Sequence, residues 1–136
     1  KKLGAFNFNE SKDCTVRALA NATGLAYEDA HKALEEQGRK PLSGASCNVW
    51  HRAYMKSGLS LVGAYGTTKS TKHFTRVYRI KPSKGLTLAS LMPSLSNGRF
   101  IVIVTGHALA VVDGNIIDSH ANKGNKSVVA VYKLTK

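Results

Sequence analysis

The strongest local constraint on the fold of this chain is a two-residue turn, Asp113-Gly114, between two apolar segments. An Asp-Gly pair in this setting predicts a tight β-hairpin, because both residues tolerate the positive φ angles that such a turn requires. We expect the hairpin to join strands over 107–112 and 115–118. Further apolar runs over 100–104 and 127–134 predict that these strands belong to a larger, mostly antiparallel sheet.

The N-terminal part of the chain carries a different, helical periodicity. Apolar residues recur at helical spacing over 14–22, 27–37 and 46–57, and a glycine follows each of these segments as a helix stop. Asp13 stands where a helix N-cap is expected, immediately before Cys14. We therefore predict three helices before the first strand.

The middle of the chain predicts two more strands, over 59–65 and 74–80, and a short helix from Thr87 to about Leu95 that Pro93 shortens. The whole chain, 1–136, is then a single α+β domain with N-terminal helices packed on a mostly antiparallel, curled sheet. No apolar run is long enough to span a membrane, so no membrane partner is expected.

The charge is strongly unbalanced. Twenty basic and eight acidic residues give a net charge of +12, and no acidic residue occurs between Glu36 and Asp113. A field of this kind attracts polyanions. The candidate polyanion-binding segment has six basic residues interleaved with aromatics: Lys69, Lys72, Arg76, Arg79, Lys81 and Lys84. The alternative is a solvated basic face without a ligand.

The chain has two cysteines, Cys14 and Cys47, which is too few for a disulfide scaffold. We expect free thiols in a cytoplasmic protein, and a single Cys14–Cys47 disulfide is the alternative. No His/Cys spacing is typical of zinc, so neither a metal nor another cofactor is predicted.

Three residues together indicate nucleophilic chemistry. Cys14 is predicted in the first turn of a helix, where free N–H groups stabilise a thiolate. His107 opens the hairpin and could take the thiol proton, and Asp118 closes the hairpin and could orient the imidazole. Taken singly, each has an ordinary alternative: a buried cysteine, a core or edge histidine, and a polar strand end.

The Asp-Cys pair at a helix start, and the Gly-His strand followed by an aspartate, resemble the papain-like cysteine peptidases. The compact group that cleaves leader peptides is the nearest analogue, and the stretch 87–119 is similar to small papain-fold proteins encoded by bacteriophages. The resemblance covers about 7–22 and 87–119. It implies that Cys14 is the nucleophile, His107 the general base and Asp118 the orienting residue.

Members of the family usually carry a glutamine five or six residues before the cysteine, which helps to form the oxyanion hole. Here Asn9 stands five residues before Cys14, and the one glutamine, Gln37, lies on another predicted helix. An asparagine can donate the same amide hydrogen bond from a shorter side chain. Cys47 with His51, one turn along the third helix, is a competing nucleophile and base.

The sequence therefore predicts a cysteine hydrolase, namely a peptidase that forms a thioester acyl-enzyme with a polypeptide substrate. The positive charge of the protein would favour an acidic polypeptide. One alternative is a weak or inactive papain-fold binding module whose basic surface holds nonspecific nucleic acid or an acidic protein. Another is a related acyl-transfer enzyme of transglutaminase-like or deamidating type. A phage-encoded protein would act in the host cytoplasm or the virion.

Overall fold

The three predicted helices are confirmed. The computed structural model describes residues 14–38, 47–65, 75–76, 79–80, 87–104, 107–117 and 127–135. Helix α1 spans Cys14–Thr23, α2 spans Tyr27–Glu36 and α3 spans Cys47–Lys56.

Helix α1 is the central helix of the domain. Six of its ten residues are buried: Thr15, Val16, Ala18, Leu19, Ala20 and Ala22. It packs against strand β3 (His107–Val112) of the sheet and against α2. A helix that is apolar on most of its circumference needs neighbours on several sides, and α1 has them.

A five-stranded sheet forms the second layer. Its strands are β1 (Leu59–Ala64), β2 (Arg99–Val104), β3, β4 (Asn115–Ile117) and β5 (Val128–Leu134). Their order is β1-β5-β2-β3-β4, and each neighbouring pair is antiparallel. The α+β class is therefore confirmed, as is the hairpin register in which Val112 lies opposite Asn115.

The sheet is covered on both faces, which the sequence did not predict. Alternate strand residues point to opposite faces. Ala108 and Ala110 of β3 belong to the core cluster that contains α1, α2 and α3. Leu109 and Val111 belong to a second cluster, with a short helix α4 (Leu88–Leu91) and the 3₁₀ turn after it.

The short helix follows its predicted signals. The backbone N–H of Ser90 donates to the Thr87 Oγ1 at 3.3 Å, which caps α4. The α-helix gives way to a 3₁₀ turn over Met92–Leu95, which contains Pro93. This agrees with a proline that shortens an α-helix.

The strand predicted over 74–80 is wrong in the part that the structure describes. Thr75 and Arg76 are helical, and Arg79 has a φ of +55°. The Ile80 N–H donates to the Thr75 carbonyl at 2.8 Å, which closes a local turn. Backbone groups bonded within a turn are not available to a sheet, and alternation alone could not reveal this.

None of the helices in the described part of the chain is both long enough and apolar enough to cross a membrane.

Candidate active site

Cys14 is the first residue of α1 and is partly exposed. Its thiol is free, so the alternative of a Cys14–Cys47 disulfide is not formed. The first residues of a helix have N–H groups without intrahelical partners, and these groups favour a negative charge nearby. The predicted position of the candidate nucleophile is thus confirmed, and solvent can reach this residue.

Helix α1 is held to the sheet at its C-terminal end. Arg99 begins β2, and its Nη1 donates to the carbonyl oxygens of Asn21 (3.4 Å) and Ala22 (3.3 Å). Arg99 lies opposite Val112, the last residue of β3. The end of α1 is therefore held at the end of β3, and α1 also packs against β3.

His107 is the first residue of β3 and is partly buried. It lies opposite Val104, and residue alternation groups it with Leu109 on the face of the second core cluster. The strand register therefore puts His107 on the face opposite α1. A direct thiol–imidazole contact requires the His107 ring to turn around the end of the strand.

Tyr54 of α3 contacts the start of α1. Its hydroxyl donates to the Thr15 carbonyl oxygen at 2.9 Å, and Tyr54 is fully buried. Burial raises the pKa of the Tyr54 phenol well above its usual value, and electrostatic interaction with the Cys14 thiol and the Tyr132 phenol, in their ionised forms, raises this pKa further. The phenol therefore stays protonated beside Cys14.

His51 lies in the same aromatic cluster. Its Nδ1 is 2.6 Å from the Tyr132 hydroxyl, and only 8% of His51 is exposed. Burial lowers the pKa of His51, with a smaller contribution from Arg52. His51 is thus held in the core by Tyr132. The side chain of Cys47, its proposed partner, is not among those that the structure describes.

Several predicted site residues also lie outside the described residues. These include Asp118 and Asn9 of the proposed catalytic set, so their roles stay predictions. Strand β4 runs back from the turn and its last residue, Ile117, lies opposite Ala110. In the basic segment Arg76 and Arg79 are described and exposed, while the rest are not described: Lys69, Lys72, Lys81 and Lys84.

Among the described residues, no cluster of three or more His, Cys, Asp and Glu side chains could hold a metal ion. Comparison with known proteins finds no matching family model, curated protein or solved structure.

Sequence reasoning did not identify Tyr54 and Tyr132 as polar groups near the site. Trp50 and Tyr54 are one helical turn apart on α3, and such a pair predicts an ordinary core face. A tyrosine hydroxyl on a predicted core face needs a hydrogen-bond partner, so Tyr54 by itself indicates a buried polar contact. The partner, the Thr15 carbonyl, is 39 positions away and only the fold identifies it.

Proposed function

We propose that this protein is a papain-like cysteine hydrolase with Cys14 as the nucleophile and His107 as the general base. The observation that carries the proposal is a free, partly exposed cysteine at the first residue of a buried central helix. The helix start supplies N–H groups that favour a thiolate. Support also comes from the packing of α1 against β3, the strand that begins at His107.

The proposed reaction proceeds in two steps. The Cys14 sulfur attacks the substrate carbonyl carbon, and the leaving amine takes the proton that the His107 imidazolium holds, which leaves a thioester. His107 then removes a proton from water, the hydroxide attacks the thioester, and the thiolate returns. Asp118 would orient His107, and Asn9 would donate to the oxyanion.

A second candidate function is a non-catalytic binding module on the same fold. The strand register favours it, because alternation groups His107 with Leu109 on the face away from α1. In that case the basic surface would provide the function, by holding nucleic acid or an acidic protein.

Alkylation of Cys14 separates the two candidates. The rate of iodoacetamide labelling is measured from pH 5 to pH 9 by mass spectrometry for wild type, Cys14→Ala, Cys47→Ala and His107→Gln. For the hydrolase we expect rapid labelling of Cys14 already at pH 6, because a thiolate paired with imidazolium reacts there and an ordinary thiol does not. His107→Gln should reduce the pH 6 rate at least tenfold and leave the pH 9 rate nearly unchanged.

His31→Gln is the matched control, because His31 is a partly buried histidine on α2 whose ring contacts Tyr27. It should leave labelling of Cys14 unchanged. If Cys14 reacts slowly at pH 6, and equally slowly in wild type and His107→Gln, the hydrolase proposal is rejected and the binding module is retained.

A further inference from the structure

The hydroxyl of Tyr54 joins two helices at the start of α1. It donates to the carbonyl oxygen of Thr15, the residue next to Cys14, at 2.9 Å. Thr15 is itself 6% exposed, and within the described part of the chain its buried Oγ1 makes no hydrogen bond. The Thr15 side chain therefore does not anchor the first turn through its own hydroxyl, and the Tyr54 bond to the carbonyl does so from α3.

The ring that carries this hydroxyl is itself fixed. Tyr54 is fully buried, and its centroid lies 5.3 Å from that of Tyr132 in an edge-to-face arrangement and 6.4 Å from that of Trp50. Tyr132 is held in turn at its hydroxyl by the His51 Nδ1. A side chain packed on several sides cannot change rotamer without moving its neighbours. The position of the Tyr54 oxygen is therefore determined by the core.

We propose that Tyr54 is a positioning residue for Cys14: it fixes the first turn of α1 and thereby holds the thiol in its reactive place. This inference rests on the proposed function, since it assigns a role in the reactivity of the same cysteine. Tyr54 does not touch the reacting carbonyl and acts through the Thr15 backbone. The high pKa of its buried phenol keeps the donated proton in place throughout the pH range in which a thiolate reacts.

The test compares two variants that each delete one buried tyrosine hydroxyl from the same aromatic cluster. Tyr54→Phe removes the bond to Thr15, and Tyr132→Phe removes the bond to His51 while leaving the Tyr54–Thr15 bond in place. The rate of Cys14 alkylation at pH 6 and the thermal midpoint of unfolding are measured for both. We expect Tyr54→Phe to slow alkylation about threefold to tenfold, the range that loss of one hydrogen bond produces. Tyr132→Phe should lower the thermal midpoint similarly and leave alkylation within about twofold of wild type.

Hydrogen exchange supplies a readout that does not need enzymatic reactivity. In an α-helix the amide of Leu19 donates to the Thr15 carbonyl. Tyr54→Phe should therefore speed exchange of the Leu19 amide more than Tyr132→Phe does. Equal effects of the two variants on alkylation and on exchange would overturn the positioning role. Slow pH 6 labelling of Cys14 in wild type would instead reject the proposed function, and the exchange comparison would still decide whether Tyr54 fixes the helix start.

Discussion

His51 is a buried histidine whose ring nitrogen Nδ1 lies 2.6 Å from the Tyr132 hydroxyl. Burial lowers the pKa of His51 in the folded protein below the 6.5 of a free histidine. Between that lowered pKa and 6.5 the unfolded chain binds more protons than the folded one, so the free energy of unfolding falls as the pH falls through this window. We expect denaturant titrations from pH 7 down to pH 5 to show this loss of stability, and His51→Gln to reduce the slope.

His31→Gln serves again as the comparison, because it removes a partly buried histidine from α2. It should leave most of the pH dependence between pH 7 and pH 5 in place. A slope that is identical in wild type and His51→Gln would show that other groups cause the dependence.

The two residues of the candidate dyad differ in how well the sequence predicted them. Cys14 was predicted at a helix start, and the structure confirms this because N-cap and periodicity signals are local. His107 was predicted at a strand start, which is confirmed as well. The face on which its ring lies depends on which strand partner and which helix cover it, and neither is encoded near residue 107.

At the scale of elements, the β3–β4 hairpin depends on its turn. Asp113 and Gly114 have φ angles of +50° and +85°. The Asp113 Oδ1 accepts from the Gly98 N–H at 3.0 Å, and the Asp113 N–H donates to the Gly98 carbonyl at 2.9 Å. The turn is therefore tied to the segment that begins β2.

We expect Asp113→Ala to lower the free energy of unfolding by about 1–2 kcal/mol, because alanine is strained at positive φ and lacks the acceptor for Gly98. Asp113→Asn should cost less than about 0.5 kcal/mol, since asparagine tolerates this φ and retains an acceptor oxygen. Asp113→Gly relieves the strain alone and should fall between them. Urea denaturation measures all three, and an equal loss for Asn and Ala would contradict the assigned roles.

Most elements were predictable because their signals are local. Glycines with positive φ angles follow the three N-terminal helices, Asp113-Gly114 turns the hairpin, and the Thr87 side chain caps α4. The segment 74–80 failed because its alternating residues fit a strand, while a left-handed residue at Arg79 turns the chain. The two-faced burial of the sheet was missed because coverage by a distant helix leaves no local signal.

At the scale of the whole molecule, the exposed acidic residues concentrate on one helix. The acids of α2, Glu28, Asp29, Glu35 and Glu36, are all exposed. Basic residues are exposed elsewhere: Arg52 and Lys56 on α3, and Arg76 and Arg79 on the turn that replaces the predicted strand. A polyanion attracted by the net charge of +12 would thus be repelled from α2 and drawn to the basic surfaces.

Two double variants test whether the turn of Arg76 and Arg79 forms a specific polyanion surface. Arg76→Gln with Arg79→Gln, and Arg52→Gln with Lys56→Gln, each lower the net charge from +12 by two to +10. Binding of a nonspecific DNA duplex is measured across a salt series. If the basic segment is the contact surface, the first variant should reduce the salt slope of log K by about 2, since each phosphate contact contributes about 0.9. The second should change it far less.

Equal losses in the two variants would mean that the duplex responds to the overall field and not to this segment. If the duplex does not bind even at low salt, nucleic acid is excluded as a partner. The same variants then test whether an acidic peptide is a substrate of the proposed hydrolase. Its turnover by Cys14 would fall with added salt and with loss of Arg76 and Arg79, because these two residues would attract the peptide to the domain before the thiol reacts.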